Sequence, residues 1–148
     1  MPTLLSPPSV LPDVNVWLAL FHGGHSHHTI AKSWYDALDP LPTFCFCRQT
    51  QLGLFRLLST SVVMDGTALK LAECWRLYDI WIDSGQAKLQ DEPTGLEAAL
   101  HSNTQAPIVA PKLWTDAYLT AFAQAASLTL VTFDRALSAK APDSILLS

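Results

Sequence analysis

The stretch SVLPDVNVWLALF, residues 9–21, decides how the chain is read. Residues 8 to 12, with prolines near both ends, predict a short strand. Val14 to Phe21 predicts a helix, closed by HGGH. Asp13 stands at the junction, and Asn15 follows two positions later. A carboxylate at the mouth of an apolar run needs a hydrogen-bond partner, a capping role or a cation. Two roles are open to Asp13: N-cap of the helix that starts at Val14, or ligand to a cation shared with acids from elsewhere in the chain.

The same strand–acid order recurs near the other end. LTLVTF, residues 128–133, is the clearest buried strand, and Asp134 follows it. Between the two, apolar periodicity predicts helices over 26–38, 48–60 and 67–83. Their core faces are Ile30, Trp34 and Leu38; then Leu54, Leu57 and Leu58; then Leu71, Cys74, Trp75 and Tyr78 with Trp81 or Ile82. TFCFC (43–47) and AKLQ (87–90) predict strands, and TGLEAALHSN predicts a short helix. Pro111 suits the first turn of a helix from Lys112 to Ala126. DRALSAKA is a loop or short helix, and SILL a last edge strand. Strands alternating with helices imply one domain over residues 1–148, an α/β sandwich around a mainly parallel sheet. In such sheets ligands bind beyond the carboxyl ends of the strands. Asp13 and Asp134 are therefore expected at one edge.

Composition sets the outer limits. The chain has 148 residues, 49% hydrophobic and 15% charged, which excludes a disordered segment. No apolar run approaches the ~18 residues of a membrane span, and the N-terminal MPTLLSPPSV carries no basic residue to open a signal peptide. The expectation is an intracellular, cytoplasmic protein. A net charge of −4 argues against a broadly basic nucleic-acid surface but not against an enzyme that grips phosphate through metal ions. The three cysteines, Cys45, Cys47 and Cys74, read as small apolar filler in a reducing compartment.

Asp116 is the hardest acid to explain away. It lies in PKLWTDAYLTAFAQAA among mostly apolar neighbours, and Asp is a poor residue for a helix interior. Asp134, like Asp13, has an N-cap reading. Taken together the three say more. Two leave strand ends on one edge, and the third is presented from the helix just before the second of those strands. Two carboxylates about 4 Å apart cost each other about 4 kcal/mol at an effective dielectric near 20, so a converging set needs a proton or a cation. Hard divalent ions with oxygen ligands, Mg2+ or Mn2+, fit that need, and ions so held support phosphodiester hydrolysis.

LPDVNVWLALF, HHTIAKSWYDAL, RQTQLGLFRLLS, PKLWTDAYLTAFA and LVTFDRAL resemble, in order and spacing, the PIN-domain ribonucleases, and more narrowly the VapC toxins of bacterial toxin–antitoxin systems. The resemblance implies a PIN-like three-layer α/β/α sandwich. It implies Mg2+- or Mn2+-dependent endonucleolytic cleavage of structured RNA such as tRNA or rRNA. It also implies an antitoxin partner of the VapB type whose C-terminal segment covers the active site, and a homodimer. The family acids match Asp13, Asp116 and Asp134, as catalytic residues and metal ligands. There is one departure. The family places a Glu on the helix after the second strand, and the matching position here is Gly53. That leaves three acids instead of four and makes one metal, with water activated by an Asp, the safer mechanism.

Other residues are candidates for supporting roles, each with a plainer alternative. Asn15, Gln49, Gln51, Thr115 and Thr132 are placed to orient an acid or a metal-bound water; helix-turn polarity or strand propensity explains them too. Arg48 and Arg56, two turns apart, with Lys112 and Arg135 are candidates for RNA or antitoxin contact, or are simply solvated. HGGHSHH holds His22, His25, His27 and His28. A mobile loop and helix start explains it better than a transition-metal site. Trp34, Trp75, Tyr78 and Trp81 read as core or dimer interface; Trp114, near Asp116, is the aromatic to test for substrate contact. Two other functions compete with the nuclease. One is a catalytically inactive PIN-like protein-binding module. The other is an aspartate-dependent phosphatase, which usually wants a second acid where Asn15 stands.

Overall fold

The computed structural model describes residues 8–148; the leader reading of the N-terminus falls largely outside them. Twelve elements follow along these residues: β1 (Val10–Pro12), α1 (Val14–Phe21), α2 (His28–Asp36), β2 (Phe44–Phe46), α3 (Arg48–Leu58), α4 (Leu71–Asp83), β3 (Ala87–Leu89), α5 (Leu96–Asn103), α6 (Leu113–Ala126), β4 (Thr129–Thr132), α7 (Arg135–Lys140) and β5 (Ile145–Leu146). The strands form one sheet in the order β3-β2-β1-β4-β5, and each adjacent pair is parallel. β1 is central, with Val10, Leu11 and Pro12 in register with Thr129, Leu130 and Val131 of β4.

Side-chain alternation in the strands divides the interior into two cores. Val10, Phe44, Phe46, Ala87 and Val131 face one way, onto Trp17 and Leu18 of α1, Leu54 and Leu58 of α3, and Cys74 and Tyr78 of α4. Leu11, Cys45, Cys47 and Leu130 face the other way, onto Leu96 of α5, Leu119 and Phe122 of α6, and Leu137 of α7. The architecture is thus the expected α/β/α sandwich. Cys45 and Cys47 share a face and are free and buried. The first core is aromatic: the fully buried Trp17 ring stacks on Phe46 at 3.8 Å between centroids and meets Trp81 edge-on at 5.3 Å.

Several boundaries differ from the sequence reading. The helix expected over 67–83 does not start at Thr67; residues 61–66 are turns and the helix, α4, opens at Leu71. Leu71 and Trp75, expected on its core face, are 81% and 47% exposed. The buried stripe is instead Cys74 and Tyr78, flanked by Trp81 and Ile82. Leu71 is the first helical residue, while Trp75 packs against Phe55, 4.9 Å between centroids. Pro111 lies in the turn before α6, not within its first turn. No helix of the described residues is long and apolar enough to cross a membrane.

Candidate active site

The carboxyl ends of β1 and β4 lie side by side, and the chain leaves each through an acid. Asp13 follows β1 and caps α1: its Oδ1 accepts from the Val16 N–H at 3.1 Å. Its own N–H donates to the Val131 carbonyl at 2.9 Å, tying the cap to β4. Asp134 follows β4 and caps α7, its Oδ1 accepting from the N–H groups of Ala136 (2.8 Å) and Leu137 (3.2 Å). Capping therefore explains part of both residues, as the sequence allowed.

It does not explain their electrostatics. Asp13 is buried, 8% exposed, and the Thr132 hydroxyl donates to its Oδ2. Burial pushes its carboxyl above the ordinary carboxylate range. The bonds from Thr132 and from the backbone N–H groups of Val16 and Asn15 pull the other way, and the charge of Asp134 adds to the rise. Asp116, half-buried in the first turn of α6, is likewise pushed up, first by burial and then by Asp134, against the pull of Lys140. The charge of Asp134 thus adds to the rise at both of the other acids. Among the described residues no three His, Cys, Asp or Glu side chains stand close enough to hold one ion as they are. The donors are nevertheless hard carboxylate oxygens, which suit Mg2+ or Mn2+ in kind.

Thr132 is the supporting residue built most firmly into this site. Its hydroxyl donates to Asp13 and accepts from the Asp134 N–H at 2.9 Å, bridging the two strand-end acids. Asn15 and Thr115 are exposed; what reaches Asp13 from Asn15 is its backbone N–H. Gln51 is buried, but its Oε1 accepts from the Arg48 guanidinium at 2.6 Å, and it lies beside Tyr78. The Gln49 Oε1 is buried without a hydrogen-bond partner. Gly53 faces α1: a Cβ there would come 2.7 Å from Val14 Cγ2. A Glu side chain at this position would collide with the helix that Asp13 caps.

The cationic candidates divide. Arg48 is occupied by Gln51, whereas Arg56, Lys112 and Arg135 are exposed. The cation whose charge reaches Asp116 is Lys140, at the last turn of α7, which sequence reasoning missed. Its only signal was its place in the short helix after Asp134. The histidines are dispersed among separate contacts. The His28 ring N–H donates to the Ala19 carbonyl at 2.6 Å, joining α2 to α1. His22 faces Asp65 at 3.5 Å, and His25 Nδ1 accepts from the His27 N–H at 3.0 Å. The His27 ring stacks on Phe133, beside Asp134, 4.6 Å between centroids.

Residues 10–141 match the PIN domain family. The chain is 39% identical over 131 residues to Ribonuclease VapC41 of Mycobacterium tuberculosis, covering 86% of this chain and 90% of that protein. Its fold is similar to the crystal structure of Mycobacterium tuberculosis VapC20, a Sarcin-Ricin loop cleaving toxin, with a TM-score of 0.63 and 16% identity over 88% of this chain and 93% of that one. It is similar also to FitAcB from Neisseria gonorrhoeae, with a TM-score of 0.62 and 18% identity over 93% and 96%. Matched over nearly its whole length, and carrying acids at the strand ends of a parallel α/β/α sheet, the chain belongs to the PIN domain family.

Proposed function

We propose that this protein is a metal-dependent endoribonuclease toxin, cutting structured RNA of the tRNA or rRNA kind and held in check by an antitoxin of the VapB type. The observation that carries the reading is the placement of Asp13 and Asp134 at the adjacent carboxyl ends of β1 and β4, joined through the Thr132 hydroxyl. The 39% identity to a protein named a ribonuclease supports it, as does the fold shared with a toxin described as cleaving the Sarcin-Ricin loop. The reading includes a homodimer acting in the cytoplasm.

Asp13, Asp116 and Asp134 would hold a Mg2+ or Mn2+ ion, which supplies charge for the phosphate and the leaving oxygen when bound. Thr132 fixes the Asp13 carboxylate through its hydroxyl and the Asp134 backbone through its oxygen, so two of the three acids share one anchor. Asp116, half-buried in the first turn of α6, would take the proton of the attacking water. Water oxygen bonds to phosphorus as the phosphorus–oxygen ester bond breaks, and the proton passes on to the leaving oxygen.

The test is cleavage of a total-RNA pool by the purified protein with Mg2+, with Mn2+ and with EDTA. Asp13→Asn, Asp116→Asn and Asp134→Asn variants are run alongside. Discrete cuts are expected only with metal, falling about 100-fold or more in each variant while the circular dichroism spectrum is kept. An unimpaired Asp116→Asn protein would overturn the assignment. Gly53 favours one second reading, the inactive binding module; absence of both cleavage and Mn2+ binding by calorimetry would establish it.

A further inference from the structure

Beside Asp116 opens a concavity of about 700 Å3, lined along α6 and the loop before it. Ile108, Val109 and Trp114 form its apolar wall and are 65%, 97% and 60% exposed. Asp116 and Lys140 stand at its charged side. Three large apolar side chains left uncovered around one concavity mark a binding surface. Its volume falls in the range that takes a small ligand, roughly 300–1,000 Å3.

We propose that this concavity is a nucleobase subsite: an unpaired base of the RNA strand lies on the Trp114 indole, and Lys140 holds the phosphate next to it. This rests on the ribonuclease reading above and names what that site grips beyond the cleaved bond. Three observations favour a nucleotide over a protein side chain. The pocket is continuous with the proposed cleavage site, since Asp116 lines both. Its two walls match the two parts of a nucleotide, an aromatic plane for the base and an ammonium for the phosphate. Trp114 and Lys140 come from α6 and α7, whose positions are fixed by buried Leu119, Phe122 and Leu137, so the platform is rigid before RNA arrives. Stacking on an indole tolerates any base, so the subsite contributes affinity and register, and sequence choice is made elsewhere.

The experiment titrates wild type, Trp114→Phe, Trp114→Ala and Lys140→Gln with a single-stranded RNA 10-mer of mixed sequence in EDTA. Tryptophan fluorescence reads binding to wild type, and the difference from Trp114→Phe isolates the one indole; anisotropy of an end-labelled copy of the RNA reads binding to every variant. Quenching of the Trp114 signal is expected. Affinity should hold within a few-fold in Trp114→Phe and fall about tenfold to a hundredfold in Trp114→Ala. Lys140→Gln should flatten the salt dependence by about one phosphate contact. Wild-type affinity in Trp114→Ala, or no binding by wild type, overturns the proposal. So does a change of oligomeric state in Trp114→Ala by light scattering, which would give the face to a second copy of the chain. The total-RNA assay on wild type, run in parallel, separates the outcomes. Metal-dependent cuts with RNA affinity unchanged in Trp114→Ala remove the subsite and keep the nuclease; no cuts at all remove the nuclease itself.

Discussion

Asp13 shows how far one residue departs from a stability optimum. It makes two good hydrogen bonds through its side chain, yet burial and Asp134 leave its carboxyl above the ordinary range. The folded state therefore holds the Asp13 proton more tightly than the unfolded chain does. Its contribution to stability falls as pH rises from the ordinary value of 3.8 through the raised folded one. Asparagine keeps an oxygen for the Val16 N–H and offers an N–H to the Thr132 hydroxyl, without the charge. In EDTA, Asp13→Asn is expected to match or exceed wild-type stability at neutral pH and to lose any advantage as pH approaches 4. Thermal melts across that range check it. A variant less stable at every pH would show that the hydrogen bonds to the carboxylate outweigh its desolvation. A stabilising change that abolishes activity is the signature of a residue kept for chemistry.

Among the elements, α3 is the one where family pattern and physical packing meet. Gly53 lets α3 approach α1 so closely that Val14 fills the space of its missing Cβ. Val14 is β-branched, with little rotamer freedom to move aside. Gly53→Ala gains helix propensity of up to ~1 kcal/mol but overpacks this contact by ~1–3 kcal/mol. The expected net loss is about 1–2 kcal/mol in urea melts. Val14→Ala in the same chain should restore most of it, a coupling that a double-mutant cycle measures. Independent, additive effects would show that the helices do not touch at this point. This contact was invisible in the sequence, where Gly53 reads only as a missing acid. The α4 stripe was legible in part: Cys74 and Tyr78 follow from periodicity alone. That Leu71 and Trp75 stay exposed does not, because periodicity fixes a helix's face and not how much of it neighbours cover.

At the scale of the whole molecule, the alternation of strands and helices made the sandwich legible, and the placement of acids after β1 and β4 made the edge legible. The sequence could not show that the Thr132 hydroxyl joins Asp13 to Asp134, or that Lys140 and not Lys112 lines the same concavity as Asp116. The first depends on the pairing of β1 with β4, the second on how α6 and α7 lie on the sheet. Under the proposed function, metal affinity would depend on Asp134. At about 100 times its dissociation constant, Mn2+ should add ~2.7 kcal/mol to wild-type stability, a rise of about 5–10 °C in melting temperature. Asp134→Asn should erase that rise. A wild-type melt indifferent to Mn2+ would sink the metal assignment.

The bond from Thr132 to Asp13 closes a loop of 119 residues. β1 stands ahead of β4 in the chain, so it meets this neighbour only after the segment between them has been made. Until then Asp13 has no Thr132 to hold it and no Asp134 beside it. A copy made only as far as α6 therefore presents Asp13 without its anchor, and the site proposed for RNA cleavage is complete only once β4 is in place.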